Sequence, residues 1–247
     1  MHPVARTAAA VLCTVAVSGL AACGSFLEDP EAQAPFAGLT APEVTSKAIA
    51  ATRAATSVRL AVTTESADGP VQVFVATGAR GACTVTFSMG TAGTMELVRA
   101  DGTVYTKSDE AMLRAASADR PRGDAEADVK KLTGRWVKAR PDGRRTTESL
   151  RYCDPRRLLD RLAARSDTAH KGERVPIGGR PALTLTGTPH GSGASGGPAG
   201  ESWTASVATE GTPYLLKMRV TEQGEPPLTV EFSGFGRPVP AKKPATL

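Results

Sequence analysis

The chain has 247 residues, a formal net charge of +5 and 40% hydrophobic residues, which supplies a sizeable core and excludes a disordered chain. Only 4% of residues are aromatic, and the basic residues lack the aromatic interleaving of a single-strand nucleic-acid binder. Nucleic acid is therefore not an expected partner.

At the N-terminus, Arg6 is the only cation before an uncharged, alanine-rich run from Thr7 to Ala22, and Cys23 follows. This is the layout of a secretory signal peptide. The run is shorter than the roughly 20 residues of a spanning helix, and Gly24, Ser25, Glu28, Asp29 and Pro30 have no stop-transfer character. Leu20-Ala21-Ala22-Cys23 resembles the lipobox of bacterial lipoproteins. The resemblance implies cleavage before Cys23 and acylation of its thiol. Residues 1–22 are then a signal peptide, and the mature chain is extracytoplasmic and lipid-anchored at the cell membrane. Loss of Arg6 lowers the net charge from +5 to +4, a modest excess that suits anionic headgroups or wall polymers as neighbours. Two or three acyl chains, at about 0.8 kcal/mol per buried methylene, make such attachment effectively permanent. Residues 23–39 read as a tether.

Cys13 leaves with the signal peptide and Cys23 is lipidated, so Cys83 and Cys153 remain as a pair in an oxidising compartment. They are expected to form a disulfide, the alternative being two buried free thiols. Neither has a second cysteine or histidine at metal-ligand spacing.

From Thr40 the pattern is helical. Thr40 and Glu43 form a capping box, Pro42 lies in the first turn, and Val44, Ala48, Ala51 and Ala55 recur at helical spacing, predicting a helix over 41–56. Runs of period two follow: Val58, Leu60, Val62; Val71, Val73, Val75; Cys83, Val85, Phe87, Met89; Met95, Leu97. They read as antiparallel strands turning at Asp68-Gly69, at 79–81 and at 90–93. Asp101-Gly102 turns the chain into a strand over 104–106. Between Ser108 and Arg165 the pattern is helical and charged. Ser108 is the expected cap of a helix over 111–116, Asp154-Pro155 opens another over 156–164, and Trp136-Val137 is a short extended piece. Strands resume at 174–177, 181–188, 202–209, 213–221 and 227–233. Residues 40–235 are one expected domain and 236–247 a tail.

One-sided alternation over so many strands requires a cover on one face of the sheet. The expected fold is α+β: a large curved antiparallel sheet, an open or half barrel, wrapping helices. This order of lipobox, tether, helix, strand meander, helical insertion and second meander resembles the LppX and LprG type of cell-envelope lipoproteins, and more distantly the LolA/LolB carriers. Cys23, the Trp136-Val137 element and the Cys83/Cys153 pair carry the resemblance. It implies a concave apolar cavity for the acyl chains of a lipid, lined by Val73, Val75, Val85, Phe87, Met95, Leu97, Leu183, Leu185, Met218, Val230 and Phe232. The alternative is that these stripes close into an ordinary core, in an envelope protein that works through its surface.

Motifs of catalysis fail in context. The segment Gly191 to Gly197 matches both GxGxxG and GxSxG, but each needs a helix immediately afterwards, and here a strand follows. No histidine follows His190. His170 and His190 are the only histidines of the mature chain, and Asp109-Glu110 and Asp124, Glu126, Asp128 lack calcium-loop spacing. The basic residues Arg135, Lys138, Arg140, Arg144, Arg145, Arg151, Arg156, Arg157, Arg161 and Arg165 read as a solvated face, or as a contact for anionic headgroups near the anchor. The chain has no asparagine, HExxH or SxxK. The expected protein is a monomer without catalytic residues, metal or cofactor.

Overall fold

The computed structural model describes residues 35–78, 81–140, 146–147, 150–187 and 202–246. The lipobox residues Leu20, Ala21, Ala22 and Cys23, together with Arg144, Arg145, His190 and the glycine-rich 191–197, lie outside the described residues.

Helix α1 spans Ala41–Ala54. Its first turn is closed by the predicted capping box: Glu43 N–H donates to Thr40 Oγ1 at 3.4 Å, and the Thr40 backbone N–H donates to the Glu43 carboxylate at 2.6 Å. The reciprocal bonds satisfy two donors that a helix start leaves orphaned. The helix ends at Ala54, two residues before the predicted end, because Ala55 turns into the extended region and leads into the first strand.

Eleven strands form one sheet: β1 (Ser57–Ser66), β2 (Gly69–Gly78), β3 (Cys83–Met89), β4 (Gly93–Ala100), β5 (Thr103–Ser108), β6 (Val137–Lys138), β7 (Ala169–Ile177), β8 (Arg180–Gly187), β9 (Ser202–Ala208), β10 (Leu215–Thr221) and β11 (Leu228–Ser233). The order is β6-β5-β4-β3-β2-β1-β11-β10-β9-β8-β7, and every neighbouring pair is antiparallel. Two meanders are thus joined through the β1–β11 pair, and the sheet stays open between β6 and β7. At the β4–β5 hairpin, Asp101 (φ 48°) and Gly102 (φ 72°) both occupy the left-handed region, as a tight hairpin with the twist of its strands requires.

The two edges differ in how they are protected. β6 is only two residues long, while β7 carries Lys171, Glu173, Arg174 and Pro176 and shifts register between Lys171 and Arg174. Charge, proline and a bulge all discourage edge-to-edge pairing. β7 begins at Ala169, five residues before its predicted start, because its first half is polar and shows no alternation to read.

Helices α2 (Glu110–Ala116), α3 (Arg122–Leu132) and α4 (Arg156–Ala163) come from the segment between β5 and β7. The cap of α2 is Asp109 and not Ser108. Its Oδ1 accepts from Met112 N at 2.8 Å while Oδ2 accepts from Thr94 N at 2.7 Å, so one carboxylate caps the helix and pins it to β4, which a hydroxyl one residue earlier cannot do. A disulfide joins Cys83 of β3 to Cys153, with Cα atoms 5.8 Å apart. Residues 35–247 form one compact unit, an α+β fold in which a large, curved, unclosed antiparallel sheet wraps helices.

Candidate functional site

Alternation along each strand sends every second side chain to the concave face, and the register aligns these into rows. One row runs through Met95, Phe87, Val73, Val62, Val230, Met218, Ala205 and Leu185, across eight strands. Beside it run Leu97, Val85, Val75, Leu60 and Phe232. The outward row between them is Lys107, Glu96, Thr86, Phe74, Ala61, Glu231 and Lys217, with ion pairs at Lys107–Glu96 (2.6 Å) and Lys217–Glu231 (2.9 Å).

All eleven residues expected to line the apolar cavity share the concave face, Leu183 lying two residues before Leu185. Val73, Val75, Val85, Leu97, Leu183, Leu185, Met218, Val230 and Phe232 are buried, whereas Phe87 and Met95 are half-buried. The cover is amphipathic. α1 buries Val44, Thr45, Ala48, Ile49 and Thr52, and α4 buries Leu159 and Leu162. Where β10 shifts register between Leu215 and Lys217, the buried Leu215 N–H donates to Thr52 Oγ1 at 3.0 Å.

The helices close one half of the face more tightly than the other. Over β9 and β10 lies a small void of about 10 Å³, lined by Leu158, Arg161, Leu162, Arg165, Trp203, Met218 and Val220, no more than one water needs. The Trp203 indole is buried there, and its Nε1 has no hydrogen-bond partner. Over β2, β3 and β4, by contrast, the cover thins, and Val71, Phe87, Met89 and Met95 stay half-buried, as does Leu228 of β11.

A larger cleft, about 490 Å³, opens at the end of the face where α1 gives way to β1. Val58, Cys153 and Leu159 form its apolar part, and Arg53, Arg99 and Arg156 its charged part. Thr77 Oγ1 donates to the Cys153 carbonyl at 2.7 Å, so a hydrogen bond and the disulfide together fix the wall that carries Cys153.

Several surface charges pair with one another. Arg53 pairs with Asp160, Arg120 with Asp128 at 2.6 Å, Arg114 with Glu110 at 2.8 Å and Arg161 with Glu222 at 2.5 Å. The Asp128 hydrogen bond raises the Arg120 pKa. The Thr40 backbone N–H, and then its hydroxyl, hold the Glu43 carboxyl below the usual carboxylate range. Of the basic residues from Arg135 to Arg165, Arg135, Lys138, Arg140, Arg151, Arg156, Arg157 and Arg161 are exposed, and Lys107 stands over the Trp136 ring, 5.2 Å from its centroid. Exposed His170 lies on β7. Among the described residues, no three His, Cys, Asp or Glu side chains come together to hold a metal ion.

The cleft and its inward arginine are not apparent from the sequence. Arg99 faces Cys83 and Val104 across the ladders, in phase with Met95 and Leu97. The available signal was a charge at a period-two core position.

No protein-family profile matches the sequence, and no curated protein matches it. Solved structures share its fold, among them two mycobacterial proteins. LprF from Mycobacterium bovis aligns with a TM-score of 0.56 at 17% identity, over 83% of this chain and 97% of that one. The Mycobacterium tuberculosis lipoprotein LppX aligns with a TM-score of 0.51 at 17% identity, over 81% of this chain and 97% of that one. This chain therefore has the open-sheet fold of the LppX type.

Proposed function

We propose that the protein is a non-catalytic, extracytoplasmic lipoprotein, anchored through Cys23, whose concave face binds a hydrophobic ligand with acyl chains. One observation carries this reading. The apolar row across eight strands ends at Phe87 and Met95, which the helices leave half-buried, so an apolar surface is prepared and incompletely covered. Such a surface in an isolated domain calls for an occupant. The fold shared with LppX, itself a lipoprotein, supports the reading, as does the lipobox resemblance of Leu20-Ala21-Ala22-Cys23.

A second reading is an envelope interaction protein with a closed core. What favours it is that nine of the eleven face residues are already buried. The two part on one measurement. The chain from Gly24 onward, without the anchor cysteine, is purified, extracted with organic solvent and analysed by native and lipid mass spectrometry. A stoichiometric co-purified lipid is the expected result. An empty protein that also takes up no acyl-chain probe rejects the carrier in favour of the interaction protein.

A further inference from the structure

The cleft beside the end of α1 is built differently from the apolar face. Arg99 stands at a core-facing position of β4, half-buried, with its Nε donating to the Gly81 carbonyl at 2.5 Å. No carboxylate among the described residues pairs with it, and none pairs with the guanidinium of Arg156, which lines the same cleft, although the backbone N–H of Arg156 donates to Asp154 Oδ1 at 3.1 Å. Arg53 adds a third guanidinium, already engaged by Asp160. The lining thus holds three arginines against one carboxylate, Asp154.

A half-buried guanidinium without a counter-ion is costly unless an anion is supplied. A planar fork held by one N–H to a backbone carbonyl keeps further donors in a geometry that matches the oxygens of phosphate. The volume, about 490 Å³, lies in the range of small-ligand sites. The first turn of α4, at Pro155 and Arg156, lines the same cleft and adds the positive end of a helix dipole.

The geometry points to this cleft as a phosphate site, in which Arg99 and Arg156, both in its lining, hold a phosphoryl group. The phosphoryl group belongs either to a lipid headgroup, whose chains then run onto the apolar part at Val58 and Leu159, or to a free phosphate ester. The site stands on the arginines and not on the acyl-binding reading.

The test uses the chain from Gly24 onward in 150 mM salt. Binding of inorganic phosphate, glycerol 3-phosphate and monomeric dihexanoyl phosphatidic acid is measured by calorimetry, with neutral dihexanoylglycerol as control. Saturable one-to-one binding of the phosphates is expected. Arg99→Gln is expected to weaken it at least about tenfold, as loss of a charged hydrogen bond does, and the exposed Arg156→Gln several-fold, with unchanged circular dichroism. Phosphatidic acid binding tenfold or more tighter than glycerol 3-phosphate assigns a lipid headgroup; equal affinities assign a free phosphate ester. Should Arg99→Gln unfold, Arg156→Gln carries the test alone. Absence of phosphate binding by the parent chain, or binding untouched by Arg156→Gln and by a folded Arg99→Gln, overturns the site. Dihexanoylglycerol uptake unchanged in both variants, whatever the phosphates do, keeps a failure here separate from a failure of the acyl-binding reading.

Discussion

The hydroxyl of Thr52, on the buried side of α1, accepts the backbone N–H of Leu215 at 3.0 Å. The N–H lies at the register shift of β10, where the ladder changes step, and a helix on the concave face answers it. Replacing the hydroxyl with a methyl of the same shape keeps the packing and orphans a buried donor. Thr52→Val is expected to cost about 2 kcal/mol, or about 4–8 °C in Tm for a domain of this size. Chemical denaturation with an unchanged m-value checks that the loss is local. Unchanged stability would mean that the Leu215 N–H finds another partner.

Trp203 lies directly across from Gly187 in the β8–β9 ladder, with its ring over the space a side chain would fill. A Cβ built on Gly187 falls 2.1 Å from the indole Nε1. Glycine is needed here for the close approach of the ring. Gly187→Ala therefore forces the ring out of the core, at a cost of about 1–3 kcal/mol for overpacking. Tryptophan fluorescence checks it independently: a red-shifted, more quenchable emission is expected, and an unshifted spectrum would show that the backbone yields instead.

The strands were legible in the sequence because alternation is a local signal, and so was the Thr40–Glu43 capping box. The pairing of β1 with β11, which turns two meanders into one sheet, was not; nothing within either strand encodes a partner some 170 positions away. The start of β7 was hidden for a related reason. An edge strand with both sides wetted alternates weakly, so Ala169 to Gly172 carried no period. For the site, alternation placed Phe87 and Met95 on the concave face correctly but could not tell how far α1 and α4 cover it. Arg99 was readable in phase with Leu97, yet its meaning depends on Cys153 and Arg156, which only the fold brings near.

The Cys83–Cys153 disulfide closes a sequence separation of 70 residues and ties β3 to the segment leading into α4. By the chain-entropy relation such a closure contributes about 4 kcal/mol. Paired replacement, Cys83→Ser with Cys153→Ser, is expected to lower stability by about that amount in denaturant titration. A loss below about 1 kcal/mol would show that packing of Cys153 and Leu159 alone holds the segment.

Glu43 predicts a pH dependence of α1. Hydrogen bonds from the Thr40 backbone and hydroxyl lower its pKa below the ordinary 4.5. A depressed carboxyl stabilises the fold fully above its unfolded value, and that contribution is lost as pH falls through the lower, folded value. The Tm difference between the parent chain and Glu43→Gln should thus be present at pH 7 and shrink as pH falls below the ordinary 4.5. A constant difference across that window would locate the effect in helix propensity and not in the charge.

The anchor is tested on the precursor. Among the described residues, no helix is long and apolar enough to cross a membrane, so on the proposed reading attachment rests on acyl chains at Cys23. A serine hydroxyl or an alanine methyl cannot form the thioether that the lipobox resemblance implies. Cys23→Ala should leave the precursor unprocessed, unlabelled by an alkyne fatty acid and about two acyl chains lighter than an acylated form of the same length by mass spectrometry. Full labelling of that variant would remove the anchor from Cys23, while the phosphate cleft at Arg99 would be untouched.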